Sequence, residues 1–429
     1  MKELTTALKT GLTGELTVPG DKSISHRAIM LGALAEGTTT IHNFLQSQDC
    51  LSTLKAFQDL GVEIDNQIDV VTVKGVGLNG LKQPKKPLDM GNSGTTTRLI
   101  MGILAAQRFQ TDLFGDASLS KRPMDRVCQP LRQMGAKIES KTDKLPLTIE
   151  PSQIKQITYD LPVASAQVKS AVILAGLFAE GKTQIIEKQP TRDHTERLLN
   201  AFAPDTIQTH ADKITVNPPK QLMGQTVEVP SDISSAAFFM VAAAILPNSN
   251  LTLKAISLNK TRTGLLKVLE KMGVQLTFKN QRNLSGEPVA DIQVKTSQLN
   301  AIELKESDIP AMIDELPIIA LLCSFANGTS KITGAQELRV KETDRIAAVV
   351  TEFKKLGIAI TELSDGFIIE GKPELTIVNP QLSSHKDHRI GMTLAIAALK
   401  ANQSLELADA ECVGISYPSF FEDLEKVMR

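Results

Sequence analysis

One pattern of hydrophobic and polar positions recurs six times along the chain. Each copy begins with a small polar residue, continues as an almost wholly apolar stretch of helical length, turns at Gly or Asn, and ends in a short β-forming run. The copies begin at Ser23, Thr95, Ser165, Asp232, Asp314 and Asp387. Because their spacing, roughly 65 to 85 residues, is longer than that of common solenoid repeats, we predict that each repeat is a small α/β subdomain.

A second, amphipathic helix is predicted in each repeat after the β-forming run. It often ends at Leu-Gly or Met-Gly before another strand, as in LSTLKAFQDLGVEI and TDRIAAVVTEFKKLGIAI. The first helix of each repeat is apolar nearly all round, which is typical of a helix buried on all sides. We therefore predict an α/β protein built from repeated βαβαββ-type units with buried helices.

Three repeats precede about residue 230 and three follow it, so the sequence predicts two domains of three repeats each. We assign residues 21–231 to an N-terminal-type domain, and residues 1–20 plus 232–429 to a C-terminal-type domain. The segment Leu4–Val18 has no place in the first repeat. We expect it to add a strand to the C-terminal-type domain.

Composition and charge narrow the class of protein. The chain has 429 residues, of which 42% are hydrophobic and 22% charged, with a formal net charge of -1; a nucleic-acid-binding protein usually carries a basic excess, so we expect no nucleic-acid partner. The four cysteines form no C-x-x-C pair. The N-terminus lacks the apolar core of a signal peptide, and the longest apolar run, Ala236–Leu246, is too short to cross a bilayer. We expect a cytoplasmic protein with no membrane association.

Polar residues gather at the starts of the repeats and of their second helices. Helix N-termini expose backbone N–H groups and carry partial positive charge, so they attract anions. Any one of these positions is more simply explained as a helix cap. Six of them beside Arg and Lys side chains predict convergence on one anionic site, because the planar fork of Arg suits carboxylate and phosphate. The basic residues concerned are Lys22, Arg27, Arg98, Lys121, Arg122, Arg192, Arg262, Lys341, Arg345 and Arg389.

Acid–base candidates are fewer. Asp314 and Glu315 open the fifth repeat, and Glu342 lies in its second half. A carboxylate beside cationic groups stays ionised and can act as a base, but Asp314 could equally be only a helix N-cap. The six histidines form no H-x-x-x-H pair and no cluster with cysteine, so we expect no metal site.

Five segments together carry a resemblance to a known family. They are KSISHR from Lys22, GNSGT from Gly91 with Arg98, RPM from Arg122, SAQ from Ser165, and RVKETDR from Arg339, with DHR from Asp387 following. In this order the chain resembles the 3-phosphoshikimate 1-carboxyvinyltransferases, also called 5-enolpyruvylshikimate-3-phosphate synthases, in the branch common in Gram-positive bacteria. The resemblance covers about residues 10 to 425.

The resemblance implies an enolpyruvyl transferase-like fold of two domains, an active site in the cleft between them, and no metal or organic cofactor. It implies catalytic roles for Asp314, Glu342 and Lys22. Shikimate 3-phosphate would be held by Lys22, Ser23, Arg27, Ser165, Ala166, Gln167, Arg192, Asp314 and Lys341. Phosphoenolpyruvate would be held by Lys22, Gly94, Arg122, Gln167, Arg345 and Arg389.

The resemblance also implies inhibition by glyphosate, and we expect a monomer. Three alternatives stay open from the residues. The first is the related UDP-N-acetylglucosamine 1-carboxyvinyltransferase, which usually has Lys-Asn near its start and a Cys-bearing loop before an Arg, where this chain has Lys22-Ser23 and a loop SLSKRP without Cys. The second is a non-catalytic, repeat-built anion-binding protein. The third is an RNA-end-processing enzyme with a similar repeat, which the balanced charge disfavours.

Overall fold

The structure is a computed structural model and describes residues 1–4, 6 and 11–428. Part of the predicted N-terminal segment, residues 5 and 7–10, therefore lies outside the described residues. The α-helices are α1 (Lys22–Leu34), α2 (Gln48–Asp59), α3 (Gly94–Leu104), α4 (Asp125–Gln133), α5 (Ala166–Gly176), α6 (His194–Phe202), α7 (Ile233–Ile245), α8 (Gly264–Lys271), α9 (Leu316–Cys323), α10 (Arg345–Lys355), α11 (His388–Ala398) and α12 (Phe420–Val427).

Short strands alternate with these helices. They are β1 (Lys2–Leu4), β2 (Thr13–Leu16), β3 (Ala35–His42), β4 (Glu63–Asn66), β5 (Val70–Val76), β6 (Leu88–Asp89), β7 (Thr111–Phe114), β8 (Lys137–Glu139), β9 (Leu147–Glu150), β10 (Thr158–Asp160), β11 (Thr183–Ile186), β12 (Ile207–His210), β13 (Lys213–Val216), β14 (Leu222–Met223), β15 (Thr226–Glu228), β16 (Asn250–Ser257), β17 (Gln275–Leu284), β18 (Glu287–Lys295), β19 (Glu303–Leu304), β20 (Thr329–Ile332), β21 (Ala359–Leu363), β22 (Gly366–Glu370), β23 (Gln381–Ser383) and β24 (Leu405–Ala408). Short 3₁₀ turns lie at Leu119–Lys121, Glu306–Ala311, Ile313–Glu315, Gln336–Val340 and Ala410–Ile415.

Each repeat builds its own small sheet. In the second, third and fifth repeats the order along the chain is strand, helix, strand, helix and two strands, which confirms the predicted βαβαββ unit. The first two strands of such a unit pair in parallel, and the last two complete the sheet in antiparallel fashion, giving the orders β6-β7-β9-β8, β10-β11-β13-β12 and β19-β20-β22-β21. The parallel pair needs a crossover helix, and the buried first helix provides it.

The other three sheets each include one or two strands from a distant part of the sequence. In the first repeat β14 and β15, which come from the end of the third repeat, pair in parallel with successive parts of β3, and β5 pairs with its other side. In the fourth repeat β2 pairs in parallel with β16, and in the sixth β1 pairs with β24. The chain start therefore supplies edge strands to the sheets of the fourth and sixth repeats.

The chain divides into two compact units. The first, called the C unit here, comprises Met1–Pro19, Pro230–Asn283 and Pro288–Arg429, and the second, called the N unit, comprises Gly20–Val229 and Leu284–Glu287. The segment Leu284–Glu287, the turn between β17 and β18, differs from the sequence assignment, which placed it in the C-terminal-type domain. It belongs to the N unit because Ser285 accepts from the backbone N–H of Glu228, and Glu287 bonds His194.

The first helices of the repeats are the core of each unit, as their apolar sequences predict. Every residue of α7, α9 and α11 is buried, and α1 is buried from Ile24 to Leu34. Each unit has its own hydrophobic cluster. Among the described residues no helix is both long and apolar enough to cross a membrane.

Side-chain caps fix where most of these helices begin. Asp21, Ser93, Ser165, Asp232 and Asp387 accept hydrogen bonds from backbone N–H groups in the first turns of α1, α3, α5, α7 and α11. The fifth repeat is the exception, because α9 has proline in its first turn and no side-chain cap bond. The alternative that Asp314 is only an N-cap is therefore wrong: Asp314 lies in the preceding 3₁₀ turn, which leaves its carboxylate for other contacts.

Candidate active site

In the N unit, Lys22 opens α1 and is held by a carboxylate from the next helix. Its Nζ lies 3.1 Å from Oδ2 of Asp49, in the first turn of α2, and both side chains are only partly exposed. The backbone carbonyl of Asp49 accepts from the hydroxyl of Thr96 in α3 at 3.4 Å. The ammonium of Lys22 is therefore tied, through Asp49, to the start of the helix that contains Gly94.

Arg27 lies one helical turn after Ser23 and is buried. Its guanidinium donates to Thr195 Oγ1 at 2.6 Å, to Ser170 Oγ at 2.8 Å and to the backbone carbonyl of Ser23 at 2.8 Å. These bonds join α1, α5 and α6, and use at least three of the five donors of a guanidinium. Arg27 therefore organises the first turn of α1, as well as carrying positive charge there.

Gly94, Arg98, Arg122 and Gln167 form a second cluster at the starts of α3 and α5. Arg98 donates to Gln167 Oε1 at 2.9 Å and to the carbonyl of Pro123 at 3.0 Å. Gln167 in turn donates to Thr95 Oγ1 at 3.0 Å. A Cβ atom on Gly94 would lie 2.9 Å from Arg98 Nη1 and 3.1 Å from Arg122 Cζ. The glycine thus leaves room for two guanidinium groups at a helix N-terminus, where an anion is favoured.

The remaining predicted residues of the N unit lie at the starts of α5 and α6. Ser165 caps α5, so its hydroxyl accepts from Val168 N at 3.4 Å, and Ala166 is the first residue of that helix. Arg192 lies in the loop before α6, partly exposed. That loop is anchored by buried Glu187, which accepts from the backbone N–H of Thr191 at 3.0 Å.

A buried polar chain connects the first helices of two repeats beneath these residues. His26 Nδ1 lies 2.6 Å from Thr53 Oγ1, Thr53 lies 2.7 Å from Thr96 Oγ1, and Thr96 lies 2.7 Å from Ser93 Oγ. His26 is fully buried, and its Nε2 has no hydrogen-bond partner. Burial, helped by the positive charges of Lys22 and Arg27, lowers the pKa of His26 well below 6.5.

The neutral His26 predicts a pH dependence of stability. Because the folded state keeps the imidazole neutral while the unfolded chain protonates it near pH 6.5, this contribution to stability is complete above that pH and is lost as the pH falls. We expect the free energy of unfolding to drop below pH 6.5 with a slope of up to about 1.4 kcal/mol per pH unit from this group. Denaturant titrations of wild type and His26→Gln from pH 5 to 8 measure it.

A matched control is His210→Gln, which removes an exposed histidine from β12. Its slope should equal that of wild type. If the free energy of unfolding of His26→Gln depended on pH as steeply as that of wild type, His26 would not be the source of this pH dependence.

In the C unit, Arg345 is the centre of a cluster of charged side chains. This buried first residue of α10 donates from Nη2 to Glu342 Oε2 at 2.7 Å, from Nε to Asp387 Oδ2 at 2.8 Å and from Nη1 to Asp314 Oδ1 at 3.4 Å. Burial opposes the charged form, but Asp387, Glu342 and Asp314 outweigh burial and raise the pKa of Arg345. Lys341 Nζ lies 3.9 Å from the same Asp314 oxygen. Asp314 therefore lies between two cations.

Arg389 lies beside this cluster at the start of α11. Its backbone N–H donates to Asp387 Oδ1 at 2.8 Å, and its guanidinium donates to the carbonyl of Ser234 at 3.2 Å. Asp387 thus orients both arginines with its two carboxylate oxygens. The cluster holds three carboxylates and three cationic groups, and its buried guanidinium groups are suited to an anion.

The structure brings together residues to which sequence reasoning assigned neither a ligand nor a catalytic role. Asp49, Arg98 and Asp387 each hold a predicted binding residue in place. The sequence indicated a position near the site for Arg98, since it follows Gly94 by one helical turn, and for Asp387, since it starts the sixth repeat. Nothing in the sequence indicated a role for Asp49, because an acidic residue in the first turn of a helix is ordinary.

One group with the geometry of metal ligands lies elsewhere within residues 11–428. Ligand atoms of Asp193, His194 and Glu287 lie within 4.8 Å of one another. These side chains already have protein partners, since His194 Nδ1 lies 2.7 Å from Glu287 Oε1, and Arg197 Nε lies 2.9 Å from Asp193 Oδ2. The group therefore serves to hold the β17–β18 turn on α6, and the expected absence of a metal site stays a prediction.

The fold is that of an enolpyruvyl transferase. The structure of EPSP synthase from Acinetobacter baumannii superimposes with a TM-score of 0.88 over 99% of this chain and 97% of that chain, at 46% identity. The enolpyruvyl transferase NikO from Streptomyces tendae gives 0.80 over 99% and 96%, at 15% identity, a likeness of fold alone.

Sequence similarity identifies the particular family. The family model of EPSP synthase (3-phosphoshikimate 1-carboxyvinyltransferase) matches residues 7–424. Relatives named 3-phosphoshikimate 1-carboxyvinyltransferase include those of Lactiplantibacillus plantarum, 53% identical over 100% of this chain and 99% of the relative, and Bacillus cytotoxicus, 52% identical over 96% and 97%. The chain belongs to the EPSP synthase family, and the predicted likeness to members from Gram-positive bacteria is confirmed.

Proposed function

We propose that this chain transfers the enolpyruvyl group of phosphoenolpyruvate to the 5-hydroxyl of shikimate 3-phosphate and releases phosphate. The observation that carries the proposal is the family match over residues 7–424, a span that includes both arginine-rich clusters. The product lies on the shikimate pathway towards chorismate and the aromatic amino acids. Because relatives of the same length bear the name of this enzyme, the nucleotide-sugar transferase, the non-catalytic binding protein and the RNA-processing enzyme are not favoured.

The reaction proceeds by addition and elimination. The 5-hydroxyl oxygen adds to C2 of phosphoenolpyruvate while C3 gains a proton, which gives a tetrahedral intermediate. This intermediate loses a C3 proton and phosphate, whose C2–O bond breaks, and the enol ether results. We assign Asp314 as the base for the 5-hydroxyl, and Lys22 and Glu342 to proton movement at C3.

Binding is divided between the two units in this proposal. We assign phosphoenolpyruvate to Lys22, Gly94, Arg122, Gln167, Arg345 and Arg389. Shikimate 3-phosphate is assigned to Lys22, Ser23, Arg27, Ser165, Ala166, Gln167, Arg192, Asp314 and Lys341. The burial of Arg27, Arg345 and Arg389 supports the assignment, since guanidinium groups stabilise negative charge best where water is excluded.

Phosphate release tests the activity. Purified protein is mixed with shikimate 3-phosphate and phosphoenolpyruvate, and each is omitted in turn. Release that requires both is the expected result. UDP-N-acetylglucosamine serves as the control acceptor, and release with it alone would assign the chain to the related transferase. No release with either acceptor in folded protein would overturn the proposed activity.

Gly94→Ala tests the proposed phosphoenolpyruvate site and the proposed inhibition by glyphosate. The added methyl group meets the guanidinium ends of Arg98 and Arg122 at 2.9 and 3.1 Å, so these flexible side chains must shift and the site becomes smaller. We expect the inhibition constant for glyphosate to rise by more than the KM for phosphoenolpyruvate. Gly414→Ala is the control, because a Cβ there meets nothing within 4 Å. Equal increases in both constants would count against this placement of Gly94.

We also propose that the protein acts as a monomer. Both binding sets come from one chain, so no second copy is required to supply a residue. Sedimentation at assay concentration tests the monomer directly, and a dimer would contradict it.

A further inference from the structure

We propose that Glu352 and His385 form a clamp that positions Asp387, and through it Arg345 and Arg389, for phosphoenolpyruvate. Glu352 and His385 are positioning residues: they act through other side chains and do not themselves bind the substrate in this proposal. It rests on the proposed function, because it assigns those two arginines to that substrate.

Helix α10 holds the loop before α11 at two points. At its first residue, Arg345 Nε donates to Asp387 Oδ2 at 2.8 Å. Two helical turns later, on the same face of the helix, Glu352 Oε2 accepts from the backbone N–H of Ser383 at 3.0 Å, and Oε1 lies 2.9 Å from His385 Nε2. The Glu352 side chain is 1% exposed. Both ends of the loop from Ser383 to Asp387 are therefore fixed to one rigid element.

The backbone between these two points adopts a conformation that it would not take unaided. His385 has φ +52° and Lys386 has φ +59°, two consecutive non-glycine residues in the left-handed region. Such residues persist only where the surroundings hold them. Here Ser383 Oγ accepts from His385 N, Ser384 Oγ accepts from Lys386 N, and Ser384 donates to the carbonyl of Asp409, each at 3.1 Å.

The next residue in the chain is the one that orients both arginines. Asp387 bonds the Arg345 side chain with Oδ2 and the backbone N–H of Arg389 with Oδ1. If the backbone at His385 and Lys386 left its present conformation, Asp387 would move relative to Arg345. The first turn of α11, which Asp387 caps, would move with it. Since carboxylate recognition by guanidinium depends on geometry, loss of the clamp should weaken phosphoenolpyruvate binding in particular.

Glu352 would remain charge-paired without the histidine. Lys355 Nζ lies 2.9 and 3.0 Å from its two carboxylate oxygens. The buried carboxylate of Glu352 therefore does not need His385 to have a partner. What the ring adds is a bond between the helix and the strained part of the loop.

Two glycine variants of the full-length protein form a matched pair. His385→Gly and Lys386→Gly each remove a left-handed non-glycine residue, but only His385→Gly also removes the bond to Glu352. We expect His385→Gly to raise the KM for phosphoenolpyruvate about tenfold, a change equal to about 1.4 kcal/mol of binding. The KM for shikimate 3-phosphate should stay within about twofold of wild type. Lys386→Gly should leave both constants unchanged.

A third variant separates positioning from general stability. Lys355→Met removes a partner of Glu352 that does not touch the loop, so it should change the melting temperature without changing the KM for phosphoenolpyruvate. If His385→Gly alters the two KM values equally, or alters neither, the clamp is overturned while wild-type turnover still supports the function. If wild-type protein shows no turnover with both substrates, the proposed function fails, and the assignment of the clamp to phosphoenolpyruvate fails with it.

Discussion

Asp314→Asn is expected to lower kcat by about 10²- to 10⁴-fold, the usual contribution of a positioned acid or base. The amide keeps the size of the side chain but cannot accept the proton of the 5-hydroxyl. Because the carboxylate lies between Arg345 Nη1 at 3.4 Å and Lys341 Nζ at 3.9 Å, the substitution also removes one of the three negative charges of this cluster. Steady-state assays with both substrates varied measure the effect.

The control for this variant is Asp69→Asn, which makes the same chemical change at an exposed turn. It should behave as wild type. A kcat within twofold of wild type for Asp314→Asn would remove this residue from the proton transfer. A large rise in the KM for shikimate 3-phosphate at unchanged kcat would assign it to binding only.

Arg345→Met is expected to damage both folding and binding. The substitution leaves Asp387 buried and without this guanidinium, and removing one partner of a buried ion pair costs about 3–5 kcal/mol. Affinity for phosphoenolpyruvate should fall at the same time, because the assigned fork of donors is lost. Denaturant unfolding measures the first effect, and the KM for phosphoenolpyruvate measures the second.

Arg345→Lys separates the two effects. It keeps a positive charge beside Asp387 but lacks the planar fork, so we expect a folded protein whose KM for phosphoenolpyruvate is still raised. Arg339→Met is the matched control, since Arg339 is partly exposed and its ion pairs are with the partly exposed Asp344 and exposed Glu362, where such pairs contribute about 0–1 kcal/mol. Wild-type binding in Arg345→Lys would show that charge alone suffices there.

The repeat pattern was sufficient to predict the architecture because its signals are local. The apolar stretch of α7 is as fully buried as its composition implied, and Ser165 and Asp387 cap the helices that follow them. Helix caps and helical periodicity depend on residues within one or two turns of each other. Both can therefore be recognised in a single sequence without knowledge of the tertiary structure. The strands that pair with sheets of distant repeats were predicted only in part. The chain start had no place in the first repeat, which indicated that it pairs elsewhere, but nothing in β14 or β15 indicated a pairing with β3.

The sequence by itself determined the six repeats, the buried helices, the βαβαββ unit and the family to which the chain belongs. Only the tertiary structure decided that Asp314 is no cap, that Asp387 orients two arginines, and that Arg27 joins three helices. These contacts span long separations, 42 residues between Arg345 and Asp387 and 168 between Arg27 and Thr195. Side chains so far apart in sequence meet only after the repeats have packed around their cores, so no local pattern could fix which carboxylate would face which guanidinium.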